Sequence, residues 1–156
     1  MTNYEQISPN CQILWKENLD FASKKYTQVS GYIFNNQHEL LIVRNESTWT
    51  IPGGHPEQGE NPLETLNREV LEEACLTITT PHYLGAVEVF ENNQIYYQLR
   101  YFAQVKEIYP FNQEWEISER KFVPLGELHN YITWSTGLTF QAQLQSANNY
   151  FKSKLQ

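Results

Sequence analysis

Gly54-His55-Pro56-Glu57-Gln58-Gly59-Glu60-Asn61-Pro62-Leu63-Glu64-Thr65-Leu66-Asn67-Arg68-Glu69-Val70-Leu71-Glu72-Glu73-Ala74-Cys75-Leu76 is the stretch on which the reading of this chain turns. Its second half reads as a helix. Asn61 is a good N-cap, Pro62 suits the first helical position, and Glu64, three residues after the cap, completes a capping box. At about 100° per residue, Leu63, Leu66, Val70 and Ala74 fall into one apolar stripe, which predicts a helix over 62–74 with that stripe buried. Glu69, Glu72 and Glu73 share a different face, with Arg68 one turn before Glu72. Each like-charge pair at such spacing costs a few tenths of a kcal/mol. Three carboxylates gathered opposite a core stripe therefore point to a positive species among them, against the plainer alternative of a solvated acidic face.

The full spacing is more specific than the charge cluster. A glycine, five residues, Glu60, seven residues, Arg68-Glu69, an apolar residue, one more residue, Glu72-Glu73 and the apolar Leu76 together resemble the signature of the Nudix hydrolases. The preceding Trp49-Thr50-Ile51-Pro52-Gly53-Gly54 resembles the strand and loop that lead into that signature. Cys75 departs from the pattern, because the family usually carries glycine there. A left-handed cap costs a non-glycine residue about 1–2 kcal/mol, so a different helix end is expected here.

The resemblance implies an α/β/α sandwich around a central mixed sheet. It also implies a hydrolase that cleaves the diphosphate bond of a nucleoside diphosphate linked to another group. Mg²⁺ or Mn²⁺ is the implied cofactor, and glutamate oxygens suit such hard cations. By resemblance, Glu69, Glu72 and Glu73 with the backbone carbonyl of Gly53 hold the metal, Glu60 closes or trims that site from the loop, and Arg68 orients the carboxylates. Some members draw a further carboxylate from the loop before the last strand. Glu114, Glu116 and Glu119 occupy that loop, and Glu116 is the candidate general base, with Glu72 or Glu73 as the alternative. Two other readings stay open. One is a Nudix-fold sensor that binds a nucleotide without cleaving it. The other is a metal-assisted isomerase, which resembles a branch needing a cysteine in the cleft; Cys11 and Cys75 are poorly placed for that.

Bulk properties agree with one folded domain. The chain has 156 residues, 40% of them hydrophobic and 14% aromatic, enough for a proper core. A net charge of −7 argues against binding nucleic acid through its phosphates. It suits a site that collects divalent cations and then an anionic nucleotide derivative as small-molecule partner. No apolar run is long enough for a membrane span, and the first residues lack the pattern of a signal peptide. Two cysteines offer no disulfide framework. A cytoplasmic location without membrane attachment is the expectation, and a homodimer is left open.

Along the chain, residues 1–25 are expected to form an N-terminal helical extension packed on the domain, starting at Ser8-Pro9 and anchored by Ile13, Leu14 and Trp15. Residues 26–156 are then the Nudix domain proper. Strands are expected over 26–34 and 40–43, joined as a hairpin through Asn35-Asn36, and over 49–51. A second hairpin pairs 84–91 with 95–105 through Asn92-Asn93. Residues 110–119 read as a loop, 121–125 as a strand, 126–132 as a short helix, and 138–153 as a closing helix with Leu144, Ala147 and Phe151 inward. Substrate-binding candidates are Arg44, after the second strand, and Tyr97 and Tyr101, which share one face of theirs. The alternatives are a surface arginine and tyrosines that pack the sheet. His55 in the motif loop is either a phosphate contact or a turn histidine.

Overall fold

The computed structural model describes residues 4–111 and 117–155. In chain order the elements are β1 (Tyr4–Ser8), β2 (Cys11–Glu17), β3 (Tyr26–Phe34), β4 (Glu39–Asn45), β5 (Thr48–Thr50), β6 (Gly53–Gly54), α1 (Pro62–Ala74), β7 (Leu76–Ile78), β8 (His82–Glu91), β9 (Gln94–Ile108), β10 (Ile117–Pro124), a 3-10 turn (Leu125–Asn130) and α2 (Leu138–Ser153). The main sheet runs β1-β2-β8-β9-β3-β4-β10, with β5, β6 and β7 attached to β4, β3 and β9. The β3–β9 pair is parallel and its flanking pairs are antiparallel, so the sheet is mixed.

Period-two alternation sorts the strand residues onto two faces. Val29, Ile33, Leu41, Val43 and Leu99 turn to one side and pack with Leu66, Val70 and Ala74 of α1. Tyr32, Phe34, Leu40, Ile42 and Phe102 turn to the other and meet Phe140, Ala147 and Phe151 of α2. One helix on each face makes the α/β/α sandwich. Asn92 and Asn93, with φ of 51° and 64°, supply the left-handed pair that a two-residue hairpin needs between β8 and β9.

The N-terminal segment corrects the expectation of a helix. Tyr4–Ser8 and Cys11–Glu17 are strands, and β2 pairs antiparallel with β8 from Cys11 opposite Glu91 to Glu17 opposite Gly85. Cys11, Ile13 and Trp15 alternate at period two and all pack on the α2-side core. That alternation, paired with the free edge of β8, outweighs the start signal at Ser8-Pro9, which falls instead at the turn between the strands.

Helix α1 spans Pro62–Ala74 with the expected capping box. The Asn61 side chain accepts from the Glu64 N–H at 2.8 Å, and Glu64 accepts from the Asn61 N–H at 3.0 Å. Leu66, Val70 and Ala74 are buried, but Leu63 is 36% exposed. Thr65 is buried in its stead, its hydroxyl donating to Glu60 at 3.0 Å and to the Asn61 carbonyl at 3.2 Å. A hydroxyl satisfied in this way loses most of its burial penalty.

Cys75 does adopt the left-handed cap, at φ 55° and ψ 47°, so the helix ends as a glycine would end it. Its surroundings account for the tolerance. The Cys75 N–H donates to Leu71 at 3.0 Å, and its carbonyl accepts from the Tyr109 N–H at 2.9 Å. Arg120 of β10 donates to the Ala74 and Cys75 carbonyls and, at 2.7 Å, to that of Tyr109. A cation also complements the negative end of the helix dipole. Arg120→Met, which removes these donors, is expected to lower stability by about 1–3 kcal/mol in urea denaturation. An unchanged urea midpoint would show that Arg120 does not support the cap.

Candidate active site

The loop before α1 is pressed between the sheet and the helix. Gly53 and Gly54 pair with Ser30 and Val29 of β3, and the Gly31 N–H donates to the Pro52 carbonyl at 3.0 Å. Gly53 has φ 155°, and a Cβ there would lie 2.4 Å from the Val29 carbonyl oxygen and 2.5 Å from Ser30 Cα. A Cβ on Gly54 would lie 2.4 Å from a carboxylate oxygen of Glu69. A side chain is therefore excluded at Gly53, one at Gly54 would displace the Glu69 carboxylate, and bare backbone faces the acidic side of α1.

Arg68 organises that side. Its Nε and Nη2 grip Glu60 at 2.7 and 3.0 Å, a two-pronged pair. Nη2 also donates to the His55 carbonyl at 3.1 Å. Nη1 is shared by Glu69 at 3.0 Å and Glu72 at 3.2 Å, with Glu57 further off at 3.7 Å. Glu60 additionally accepts from the Glu57 N–H at 2.8 Å and from Thr65. Arg68 first, and then the Glu57 N–H, hold its carboxyl down at about 2. Both Glu60 oxygens thus lock Arg68 and the loop, and Glu60 would reach a metal from the loop only by releasing one of these partners.

Glu73 faces the loop instead. It accepts the Gly53 N–H at 2.8 Å, and burial pushes its carboxyl up to about 8 against the pull of that hydrogen bond. Burial likewise raises Glu69, opposed by Arg68. The donor set formed by Glu69, Glu72, Glu73 and the Gly53 carbonyl consists only of hard oxygens, and it fits a Mg²⁺-like cation chemically. Among the described residues no three acidic, imidazole or thiol groups converge as a ready cage. Glu69 and Glu72 lean on the shared Arg68 nitrogen, and convergence requires them to turn from it.

Gly53 and Glu73 also line a cavity of about 660 Å³ on the α2 side of the sheet. Its walls include Tyr96, Gln98 and Arg100 of β9, Gln28 and Ser30 of β3, and Phe140 and Gln143 of α2. Tyr97 and Tyr101, expected at a substrate pocket, point to the opposite face of β9. Both are buried in the α1-side core, where Tyr97 donates to Glu88 at 2.8 Å and Tyr101 packs on Tyr83. The alternation along β9 separates the two faces, and the polar residues at 98 and 100, in step with Tyr96, were the signal for the cavity side. Arg44 is engaged away from the cavity, with Glu119 at 2.7 Å and over the Trp49 ring. His55 meets the Thr27 carbonyl, as a turn histidine does. Glu114 and Glu116 lie outside the described residues.

A three-layer α/β fold that clamps an acidic helix under a glycine loop defines the class of protein. The NUDIX domain model matches residues 24–141. The chain belongs to the Nudix family, whose hydrolases cleave pyrophosphate bonds and generally use divalent metal ions. Among solved structures, a Bacillus subtilis pyrophosphohydrolase is similar with a TM-score of 0.75 and 16% identity, over 90% of this chain and 92% of that one. A UDP-X diphosphatase is similar with a TM-score of 0.62 and 19% identity, over 85% of this chain and 65% of that one. A MutT structure from work on Aliivibrio salmonicida and Vibrio cholerae gives a TM-score of 0.58 and 24% identity, over 78% and 94%. At these identities the likeness is one of fold. No helix among the described residues is long and apolar enough to cross a membrane.

Glu60 and Glu73 shift in opposite directions, so they tilt stability against pH with opposite signs. Glu60 contributes stability that is present above its ordinary pKa of 4.5 and lost as pH falls toward 2. The native state holds the Glu73 proton more tightly than the unfolded chain, so metal-free stability falls as pH rises from 4.5 through 8. Urea midpoints in chelator should show Glu60→Gln flattening the acid limb and Glu73→Gln flattening the alkaline one. Parallel curves for both variants and the parent would refute the assignment.

Proposed function

We propose that the protein hydrolyses the diphosphate bond in a nucleoside diphosphate linked to another group, with Mg²⁺ or Mn²⁺ as cofactor. The observation that carries this reading is the Gly53–Glu73 contact in the lining of the cavity, with Glu69 one turn before Glu73 and Glu72 next to it on the same helix. Glu69, Glu72, Glu73 and the Gly53 carbonyl would hold the metal. When bound, it supplies charge neutralisation at the phosphate oxygens and a template for in-line displacement.

The chain's own residues divide the remaining work. Arg68 is a positioning residue: fixed by Glu60, it keeps Glu69 and Glu72 oriented while its third nitrogen remains shared. The glycine loop brings backbone, not side chain, against the scissile group. Water forms the new P–O bond, the bridging P–O bond breaks, and its electron pair leaves with the departing phosphate. A carboxylate must take the water's proton, and Glu116 is proposed for that role, with Glu72 or Glu73 as the alternative.

Glu73→Gln keeps shape but removes a charge and a ligand oxygen, so it should abolish most Mg²⁺-dependent turnover of diphosphate-linked nucleotides while far-UV CD stays unchanged. Full turnover in that variant, or in excess chelator, would place the chemistry elsewhere. Glu116→Gln should lower kcat by about a hundredfold or more with metal affinity little altered. A kcat within a few-fold of the parent would return the base to Glu72 or Glu73. Binding of these nucleotides without cleavage by the parent protein would instead identify a sensor.

A further inference from the structure

Arg100 is the charged residue that this mechanism leaves unexplained. It is 9% exposed and lines the cavity that reaches Gly53 and Glu73. Its partners are all neutral. Nε donates to Gln143 at 3.0 Å, Nη1 to Gln28 at 3.1 Å and to the Leu99 carbonyl at 3.2 Å, and Nη2 to Gln98 at 3.1 Å. Among the described residues no carboxylate lies within ion-pair reach of it. A buried guanidinium stays protonated. Leaving one without a counter-charge is costly, and hydrogen bonds to amides only partly offset the loss.

The neutral partners shape what can relieve that cost. Each glutamine turns its amide oxygen to Arg100, and Gln143 also accepts from the Tyr32 hydroxyl at 2.8 Å. With the oxygens committed, what the three amides have left to offer is their NH₂ groups. The cavity's other charged lining residues, Glu5 and Glu73, are acidic, so Arg100 and its amides form its one positive, donor-rich patch among the described residues, and that patch suits an acceptor that carries negative charge. A neutral base edge would leave the charge uncompensated.

The sheet fixes where this patch lies relative to the loop. Gly53 pairs with Ser30, and Ser30 is in register with Arg100 across the parallel ladder. Two strand spacings put the Arg100 backbone about 10 Å from that of Gly53, within reach of a sugar-sized group.

We propose that Arg100, held by Gln28, Gln98 and Gln143, is a specificity subsite for an oxyanion, a carboxylate or a further phosphate, carried by the substrate beside its scissile diphosphate. The subsite rests on the hydrolase reading for its substrate class, but its binding test does not need turnover. Calorimetry on the metal-free protein would compare two matched pairs, UDP-glucuronate against UDP-glucose and inorganic tripolyphosphate against pyrophosphate. The parent should bind the more acidic member of at least one pair about tenfold or more tightly, and the pair that responds identifies the oxyanion as carboxylate or phosphate. Arg100→Met should bring that ratio to within about twofold of unity and leave affinity for the less acidic member within a few-fold. If Arg100→Met does not fold, Gln98→Leu, which loosens the guanidinium, should lower the same ratio. Equal binding within both pairs by the parent, absent binding of all four probes, or a variant that weakens both members alike would overturn the proposal, the last outcome marking Arg100 as a structural cross-link. Failure of hydrolysis with Mg²⁺ alongside a preserved ratio would count against the hydrolase reading alone.

Discussion

No room exists for a side chain at Gly53, and much of the molecule follows from that exclusion. A Cβ at Gly53 would strike β3, and one at Gly54 would strike the Glu69 carboxylate. The loop can thus lie flat against the central sheet on one side and the acidic helix on the other. Its backbone N–H reaches Glu73 directly, which holds that carboxyl in the cavity lining. A buried carboxylate with one hydrogen bond is a costly arrangement for an empty fold. A cation bound beside it would relieve that cost.

Arg68 solves the complementary problem of crowding. Four glutamates, Glu57, Glu60, Glu69 and Glu72, stand around one guanidinium, yet they are not treated alike. Glu60 takes a two-pronged grip, shared with the Thr65 hydroxyl and the Glu57 N–H, and becomes part of the scaffold. Glu69 and Glu72 divide one nitrogen at longer range, at 3.0 and 3.2 Å. The same side chain therefore builds the loop and keeps two carboxylates in reserve.

The sequence displayed the site's machinery better than its surroundings. Capping, helix span and the acidic face of α1 were legible because each rests on residues close together in the chain. Leu63 misled because a helical wheel cannot tell that a satisfied threonine will be drawn under the loop in its place. Cys75 was expected to break the family's helix end, and the reason it does not, Arg120, lies forty-five residues away on another strand. At the N-terminus, Ser8-Pro9 looked like a helix start, while the period-two alternation of Cys11, Ile13 and Trp15 gained its meaning only from the edge of β8. Long-range pairing decided the last two of these cases, and nothing local encodes it.

The division of β9 carries the same argument into recognition. Tyr97 and Tyr101 hold the α1 side of the core, and Tyr96, Gln98 and Arg100, one residue out of step, hold the cavity. A single-residue slip of this strand would exchange the two sets and bury charge in the core while turning tyrosines to the ligand. The register is pinned on both flanks, by β8 in antiparallel pairing and by β3 in parallel. β3 in turn carries Gln28 and Ser30 to the cavity and holds the glycine loop at the same level. Catalytic helix, loop and recognition wall are thus indexed to one strand. On the proposed reading, substrates that differ beyond the diphosphate would be distinguished by residues that leave the acidic helix untouched.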